Sequence, residues 1–179
     1  MSMRQMCSTC MLEGGYFPLG VRNSILTTLL GISLLVIGRK YIMLALKLKT
    51  ANVNGLLKII NISSTYQAAG KTGAFELQLH STVGSVGNIT GSLNYIQLSS
   101  SIAQYATGDG TQYIAVGQDG YILTGGFISS RTVVDFNSND YETLLTRTNC
   151  TKYDTIYLIG IGNTSNDVMF SSMDFIEGE

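Results

Sequence analysis

The stretch of the chain that most constrains its fold runs from Val36 to Ser63 and reads VIGRKYIMLALKLKTANVNGLLKIINIS. Apolar residues occupy every second position from Ile42 to Leu48, and the Asn54-Gly55 dipeptide separates this run from a second apolar run. Period-two alternation on both sides of a turn dipeptide is typical of a β-hairpin. The stretch therefore predicts two paired strands in an all-β protein.

Short apolar runs separated by Gly, Asn and Asp continue to the C-terminus. The strand candidates are Phe75–His80, Ser92–Ser99, Gln112–Val116, Tyr121–Ile128, Arg131–Phe136, Tyr141–Arg147, Thr155–Ile161 and Val168–Ile176. This spacing indicates a β-sandwich or jelly roll of two antiparallel sheets. Because 179 residues suit one well-buried domain, we expect an irregular N-terminal arm over residues 1–23 and one jelly-roll domain over residues 24–179.

The apolar segment Ser24–Ile37 is ambiguous between a helix, a membrane segment, the core of a signal peptide and two buried strands. As a helix it would be about 21 Å long, which is shorter than a hydrocarbon core of about 30 Å. Gly31 in its centre and its β-branched residues favour two short strands. We therefore expect strands here and leave a membrane association open.

Charged residues make up only 13% of the chain, and the net charge is −1. The exposed surface must therefore consist mainly of neutral polar side chains, as is common in extracellular and virion proteins. Such a chain has no basic patch for nucleic acid or for an anionic membrane. We accordingly expect no nucleic-acid partner.

Three cysteines cannot all pair within one chain, and two of them, Cys7 and Cys10, form a C-x-x-C near the N-terminus. A second ligand pair for zinc is missing, so we expect no metal site. Reduced thiols on the arm are the simplest interpretation. The alternative is an intermolecular crosslink through Cys7 and Cys10 that ties subunits together.

Two patches resemble carbohydrate-binding-module-type jelly rolls, which also occur in phage tail and fibre proteins. The first is Gly38-Arg39-Lys40-Tyr41, followed by the alternating run and Lys47-Leu48-Lys49-Thr50. The second comprises Asp154–Asn163 and Val168–Met173, which resemble the last two strands. The resemblance implies a jelly-roll fold and glycan contact. Where the family often carries an Asp-Asp pair that holds calcium, this chain has Ser171 and Ser172, so we expect no metal and no cofactor.

Ten tyrosines are the best candidates for ligand contact, because tyrosine offers a flat apolar face and a hydroxyl group. The central region combines several of them with amides and one carboxylate. The candidate ligand-binding residues are Tyr95, Tyr105, Tyr113, Tyr121, Gln112 and Asp109.

The sequence contains no recognisable set of catalytic residues. His80 is the only histidine, and on the polar face of its strand it is expected to be exposed to solvent. Paired carboxylates for sugar hydrolysis could come from Glu76, Asp135 and Glu142, but no motif joins them. We therefore expect a protein that is not an enzyme.

These observations predict a structural or receptor-binding subunit of an extracellular assembly, most simply a virion or phage capsid, tail or fibre component. We expect a homo-oligomer or contacts with other virion subunits, and a cell-surface glycan is a further candidate partner. The alternatives are a non-catalytic carbohydrate-binding module and a membrane-anchored surface protein that uses Ser24–Ile37. The expected location is a virion or an extracellular surface.

Overall fold

The computed structural model describes residues 21–27, 30–52, 55–81, 89–129, 131–135, 144–146 and 154–178. Within these ranges the chain forms strands and turns and no helix. The strands are β1 (Val21–Leu26), β2 (Ile32–Leu34), β3 (Tyr41–Leu48), β4 (Leu56–Tyr66), β5 (Gly73–His80), β6 (Ile89–Thr90), β7 (Ile96–Gln97), β8 (Ala103–Thr107), β9 (Tyr113–Ile114), β10 (Tyr121–Ile128), β11 (Arg131–Asp135), β12 (Leu144–Thr146), β13 (Thr155–Gly162) and β14 (Asp167–Gly178).

The strands form two antiparallel sheets. The first sheet has the order β1-β14-β4-β11, with β2 paired to β14 and β12 paired to β4. The second sheet has the order β10-β5-β13-β3-β8-β7, with β9 paired to both β3 and β6. The predicted all-β sandwich of two antiparallel sheets is therefore confirmed. β1 begins at Val21, three residues before the predicted start of the domain.

The main core lies between the inner faces of the two sheets. Strand β14 alternates strictly between buried and half-buried residues, as expected for a strand with one covered face. Its buried side chains include Met169, Met173 and Phe175, and they share one cluster with Leu44 and Leu158 of the second sheet. Burial of this apolar surface is the main stabilising contribution to the sandwich.

The predicted hairpin across Asn54-Gly55 is wrong. β3 lies in the second sheet between β13 and β8, whereas β4 lies in the first sheet beside β14. Each strand already has a partner on both sides, so the two cannot pair with each other. Their connection passes from one sheet to the other, and Gly55 is buried in it close to Leu48 and Ile102.

The predicted alternation from Ile42 to Leu48 is also interrupted. The register between β3 and β13 shifts where Ile42 and Leu44 stand opposite Ile159 and Leu158, so Met43 is an extra residue in β3. Such a β-bulge changes the phase of side chains along a strand. Ile42 consequently packs in a second cluster, whereas Met43 and Leu44 both belong to the main core.

The segment Ser24–Ile37 contains part of β1 and all of β2, and both strands pair with β14. The interpretation as two short strands is therefore confirmed, with residues 24–26 in β1 and residues 32–34 in β2. Of the residues that the structure describes, none lies in a helix long and apolar enough to cross a membrane.

A second, smaller apolar cluster covers the outer face of the second sheet. Its buried members are Ile42, Ala45, Ala106, Ile114, Tyr157 and Ile159. Ile89, Leu93 and Tyr95 pack on them, so the segment that follows β6 lies across this face. The second sheet is thus covered on both sides in this region, which explains why β3 and β13 are apolar on both faces.

Candidate functional site

Two tight turns of the same type flank a groove in the described structure. In Val36–Arg39 the Arg39 backbone N–H donates to the Val36 carbonyl at 3.3 Å, and in Ala115–Gln118 the corresponding distance is 3.0 Å. The third residue of each turn is a glycine with positive φ, +71° at Gly38 and +75° at Gly117. A type II turn requires this conformation at its third position, and glycine adopts it without steric cost.

The second residue of each turn is apolar and points into solvent. Ile37 is 61% exposed and Val116 is fully exposed. Leu35 and Val36 precede Ile37 and are also exposed. The two turns therefore hold a group of apolar side chains at the surface, which is an uncommon arrangement unless another molecule covers them.

The groove between these turns has a volume of about 530 Å³. It is lined by Val36, Ile37, Gly38, Arg39, Lys40, Thr90, Tyr113, Ile114, Ala115, Val116, Gly117 and Asp119. Its volume lies in the range of small-molecule sites. The lining combines an apolar rim with two cations, one carboxylate and two hydroxyl groups.

Arg39 and Tyr113 form the aromatic part of the groove. The Arg39 guanidinium lies 4.2 Å from the centre of the Tyr113 ring, a distance typical of a cation–π contact. Tyr113 in turn meets the edge of Tyr41, with ring centres 6.1 Å apart. Tyr41 is buried, and its hydroxyl accepts a hydrogen bond from the Val36 N–H at 3.0 Å. The guanidinium is thus supported by a ring that the core holds in place.

Lys40 occupies the opposite part of the groove and is paired twice. Its Nζ lies 2.9 Å from Glu76 Oε2 and 2.7 Å from Asp119 Oδ1. Burial by itself would lower the pKa of Lys40, but the hydrogen bonds to Asp119 and Glu76 outweigh it and raise that pKa. Burial would raise the pKa of Asp119, and the bonds from Lys40 and Gln78 lower it instead. Lys40 and Asp119 are therefore charged at neutral pH.

Gln78 and His80 form a second layer beneath this ion pair. The Gln78 Nε2 donates to Glu76 Oε2 at 2.6 Å and to Asp119 Oδ1 at 3.1 Å. Its Oε1 accepts from the Gly120 N–H at 3.0 Å and lies 2.8 Å from His80 Nε2. Both polar atoms of the Gln78 amide are therefore hydrogen-bonded, and they hold the turn that carries Asp119 against β5.

The expectation that His80 is exposed is wrong, because its side chain is 1% exposed. The segment Asp119-Gly120 covers this face of β5, and the His80 ring packs against Tyr157 at 4.8 Å between centres. Burial lowers the pKa of His80 from 6.5 to about 4. At neutral pH the imidazole is an uncharged part of the scaffold.

The buried polar layer ends at a tyrosine pair. Burial, followed by the electrostatic interaction and hydrogen bond with Tyr157, raises the pKa of Tyr95 well above its ordinary value. Burial likewise raises the pKa of Tyr157. Lys47 lies above the Tyr95 ring at 3.8 Å, and burial lowers the pKa of its ammonium group. The two rings connect the second cluster to the sheet, and Lys47 lies over the Tyr95 ring.

The predicted ligand-binding tyrosines do not form one site. Tyr105 and Tyr113 pack on the main core, Tyr95 packs on the second cluster, and Tyr121 is exposed at the start of β10. Of these four, Tyr113 alone lines the groove.

Gln112 and Asp109 shape the loop that leads to Tyr113. Gln112 is buried, its Oε1 accepts from the Asp109 N–H, and its Nε2 donates to the Ser92 carbonyl. Asp109 accepts from both the N–H and the hydroxyl of Thr111, and these bonds lower the pKa of Asp109. Both residues therefore have local structural partners and hold β9 in position beside β3.

Cys7 and Cys10 lie outside the described residues, as does Glu142, so the predicted crosslink stays a prediction. Within the described ranges, no three His, Cys, Asp or Glu side chains lie together as metal ligands would.

Sequence reasoning missed Arg39, Lys40 and Asp119 as groove residues. The charged residues stand beside glycine in Gly38-Arg39-Lys40 and in Asp119-Gly120. Lys40 and Asp119 are, however, 79 residues apart in the chain. Only the fold brings them together.

Comparison with protein-family models gives no match, and no curated protein matches the chain. The fold and the site define the protein at the level of class. It is a two-sheet antiparallel β-sandwich with an apolar-rimmed polar groove between two glycine turns.

Proposed function

We propose that this chain is a structural or receptor-binding subunit of an extracellular assembly, most simply a virion, phage tail or fibre component, that associates with further copies of itself. The observation that carries the proposal is the position of the exposed apolar side chains. Ten large hydrophobic residues of the described chain are exposed, and Leu26, Leu30, Leu35, Val36 and Ile37 are five of them. All five belong to Ser24–Ile37.

The same segment is firmly attached to the core. Ile25, Ile32 and Leu34 are at most 3% exposed, and they alternate with or precede the exposed side chains. Leu26 is therefore presented on β1, Leu35 directly follows β2, and Val36 and Ile37 belong to a tight turn. Because little conformational entropy remains to be lost, such a surface is well prepared for association.

A second copy is the partner that this surface fits best. The apolar tips of Ile37 and Val116 stand beside a concave groove, so one patch offers both a projecting and a receiving part. A surface with both parts can be complementary to itself, as a two-fold or ring interface requires. The low charge content of the chain adds little repulsion between identical surfaces.

The assignment of this β-sandwich to the jelly-roll topology is part of the same proposal. It is supported by the resemblance of the β3 entry, Gly38–Tyr41, and of β13 and β14 to carbohydrate-binding-module-type jelly rolls. The two antiparallel sheets are compatible with that topology.

Size-exclusion chromatography with light scattering tests the proposal. The full chain under reducing conditions should have the mass of an oligomer at micromolar concentration, and Ile37→Asp should shift it to the mass of a single chain. Ile96→Asp is the matched control, because Ile96 is similarly exposed on β7 outside the segment. A wild-type chain that remains single, or an equal effect of both substitutions, would contradict the proposal.

A second candidate function is that of a non-catalytic carbohydrate-binding module. It is favoured by Tyr113, the predicted ligand residue that lines the groove together with Thr90 and Asp119. Saturable binding on a glycan array that is lost with Tyr113→Ala and retained with Tyr121→Ala would support it. Absence of binding to any glycan would remove it.

A further inference from the structure

We infer that the groove between the turns Val36–Arg39 and Ala115–Gln118 binds a carboxylated sugar, whose carboxylate contacts Arg39 and whose hydroxyl groups contact Asp119. The inference rests on the carbohydrate-binding role proposed above and specifies its ligand class. Because the same groove is the receiving part of the proposed self-association, the sugar and a second copy are expected to compete for it.

Arg39 is the group in the groove that is suited to bind an anion. The ion pairs of the described residues use Arg22, Lys40 and Lys71, and none of them involves Arg39. Its side chain contacts the Tyr113 ring through the guanidinium group. A stacked guanidinium keeps the N–H donors at its edge available, and their planar fork matches the two oxygens of a carboxylate.

Asp119 is the group that distinguishes a sugar from a simple anion. Its Oδ1 accepts from both Lys40 and Gln78, so the second carboxylate oxygen, Oδ2, remains as an acceptor in the groove. The side chain is 45% exposed, which makes this oxygen accessible. A hydroxyl donor satisfies it, whereas a second carboxylate placed there would be repelled. A ligand that carries one carboxylate and several hydroxyl groups fits both ends of the groove.

The charge balance of the groove supports the same ligand. Lys40 pairs with both Glu76 and Asp119, and Arg39 is the second cation of the site. The two cations and the two carboxylates leave no net positive charge, so an anion is attracted only beside Arg39 and a polyanion gains no further attraction. An acidic peptide or a nucleic acid would bring several negative charges past Asp119, and is therefore disfavoured.

The apolar rim and the volume also suit a sugar. Ile37 and Val116 can contact the C–H surface of a pyranose ring, while Thr90 lies in the same lining. The volume of about 530 Å³ leaves room for a short oligosaccharide and not only for a single anion.

Isothermal titration calorimetry with two matched sugars tests this inference. Methyl β-D-glucuronide and methyl β-D-glucoside differ at one position, where the first has a carboxylate and the second a hydroxymethyl group. We expect the glucuronide to bind about tenfold more tightly, because a charge-assisted pair forms only there. Arg39→Gln should remove this preference, so that the glucuronide binds no more tightly than the glucoside. Arg22→Gln, which removes a cation on β1, is the matched control and should change the affinity for neither sugar.

Asp119→Asn distinguishes recognition of the sugar hydroxyl groups from recognition of the carboxylate. The substitution should weaken binding of the glucuronide by a few fold and strengthen binding of sodium acetate, since a repulsive charge is lost. Circular dichroism melting of each variant shows that it is folded. Equal binding of the two sugars, or acetate binding as tightly as the glucuronide, would overturn the inference. Binding of neither sugar would also overturn it, whereas the carbohydrate-binding role is tested separately by the glycan array.

Discussion

Gln78 Oε1 and His80 Nε2 share a hydrogen bond of 2.8 Å that fixes the state of the only histidine in the chain. The Gln78 Nε2 faces the carboxylates of Glu76 and Asp119, so its Oε1 must be the acceptor toward His80. The proton of the neutral imidazole is therefore on Nε2. The other nitrogen, Nδ1, is buried and has no hydrogen-bond partner among the described residues.

This arrangement predicts that acid destabilises the fold. The folded pKa of His80 is lowered from 6.5 to about 4, so the unfolded chain binds this proton more tightly. The contribution to stability is complete above pH 6.5 and is lost as the pH falls from 6.5 to about 4, by about 1 to 3 kcal/mol. Urea denaturation at several pH values in this window measures the free energy of unfolding.

His80→Phe is the control for the acid effect. Phenylalanine keeps a ring beside Tyr157 and cannot titrate, so the free energy of unfolding should change much less between pH 6.5 and 4. A variant with the same pH dependence as the wild type would show that other groups are responsible. The lowered pKa of Asp167 adds a loss only at lower pH, as the pH falls through that pKa.

Gly120 is predicted to be intolerant of a side chain. A Cβ at this position would overlap the Leu79 carbonyl and would lie 2.6 Å from His80 Cδ2. Gly120→Ala should destabilise the fold by about 1 to 3 kcal/mol, because the turn must move away from β5. Thermal and urea unfolding measure the loss.

Gly117→Ala provides the comparison for Gly120. No atom lies within 4 Å of a Cβ at position 117, so the destabilisation by this substitution is limited to the effect of the positive φ of +75°. That conformation costs an alanine about 1 kcal/mol. A Gly117 variant less stable than the Gly120 variant would contradict the proposed contact between the turn and His80.

Much of the fold could be predicted from local patterns. Tyr121–Ile128 matches β10, and Thr155–Ile161 matches β13, which has the central place that its apolar residues on both faces predicted. Alternation and glycine turns suffice for such strands because they reflect local geometry. β8 was missed, since its buried residues are the small Ala103 and Ala106 and the apolar signal is weak.

Strand pairing and the site could not be predicted in the same way. The Asn54-Gly55 signal is local, but the partners of β4 are distant in the chain, with β14 on one edge and β11 and β12 on the other. His80 is polar and alternates correctly, yet a turn from 40 residues further along covers it. The groove depends on the contact of Lys40 with Asp119, which no sequence period encodes.

The ion pair of Lys40 and Glu76 should contribute modestly to stability. Lys40→Met and Glu76→Gln, measured singly and together, give the coupling free energy of the pair. We expect about 1 kcal/mol, reduced in high salt, because both side chains retain partial contact with solvent. The coupling of Lys71 and Asp167 is the reference pair. A coupling near zero at low salt would contradict the electrostatic role of Lys40.

Photo-crosslinking from position 37 tests the central claim most directly, namely that the exposed apolar segment docks on another copy. Ile37 is replaced by p-benzoylphenylalanine in the full chain, and position 96 carries the same group in a control. Irradiation at micromolar concentration should join two chains from position 37, with the crosslinked peptide belonging to a second copy, and give little product from position 96. Products confined to single chains, or equal products from both positions, would contradict the account.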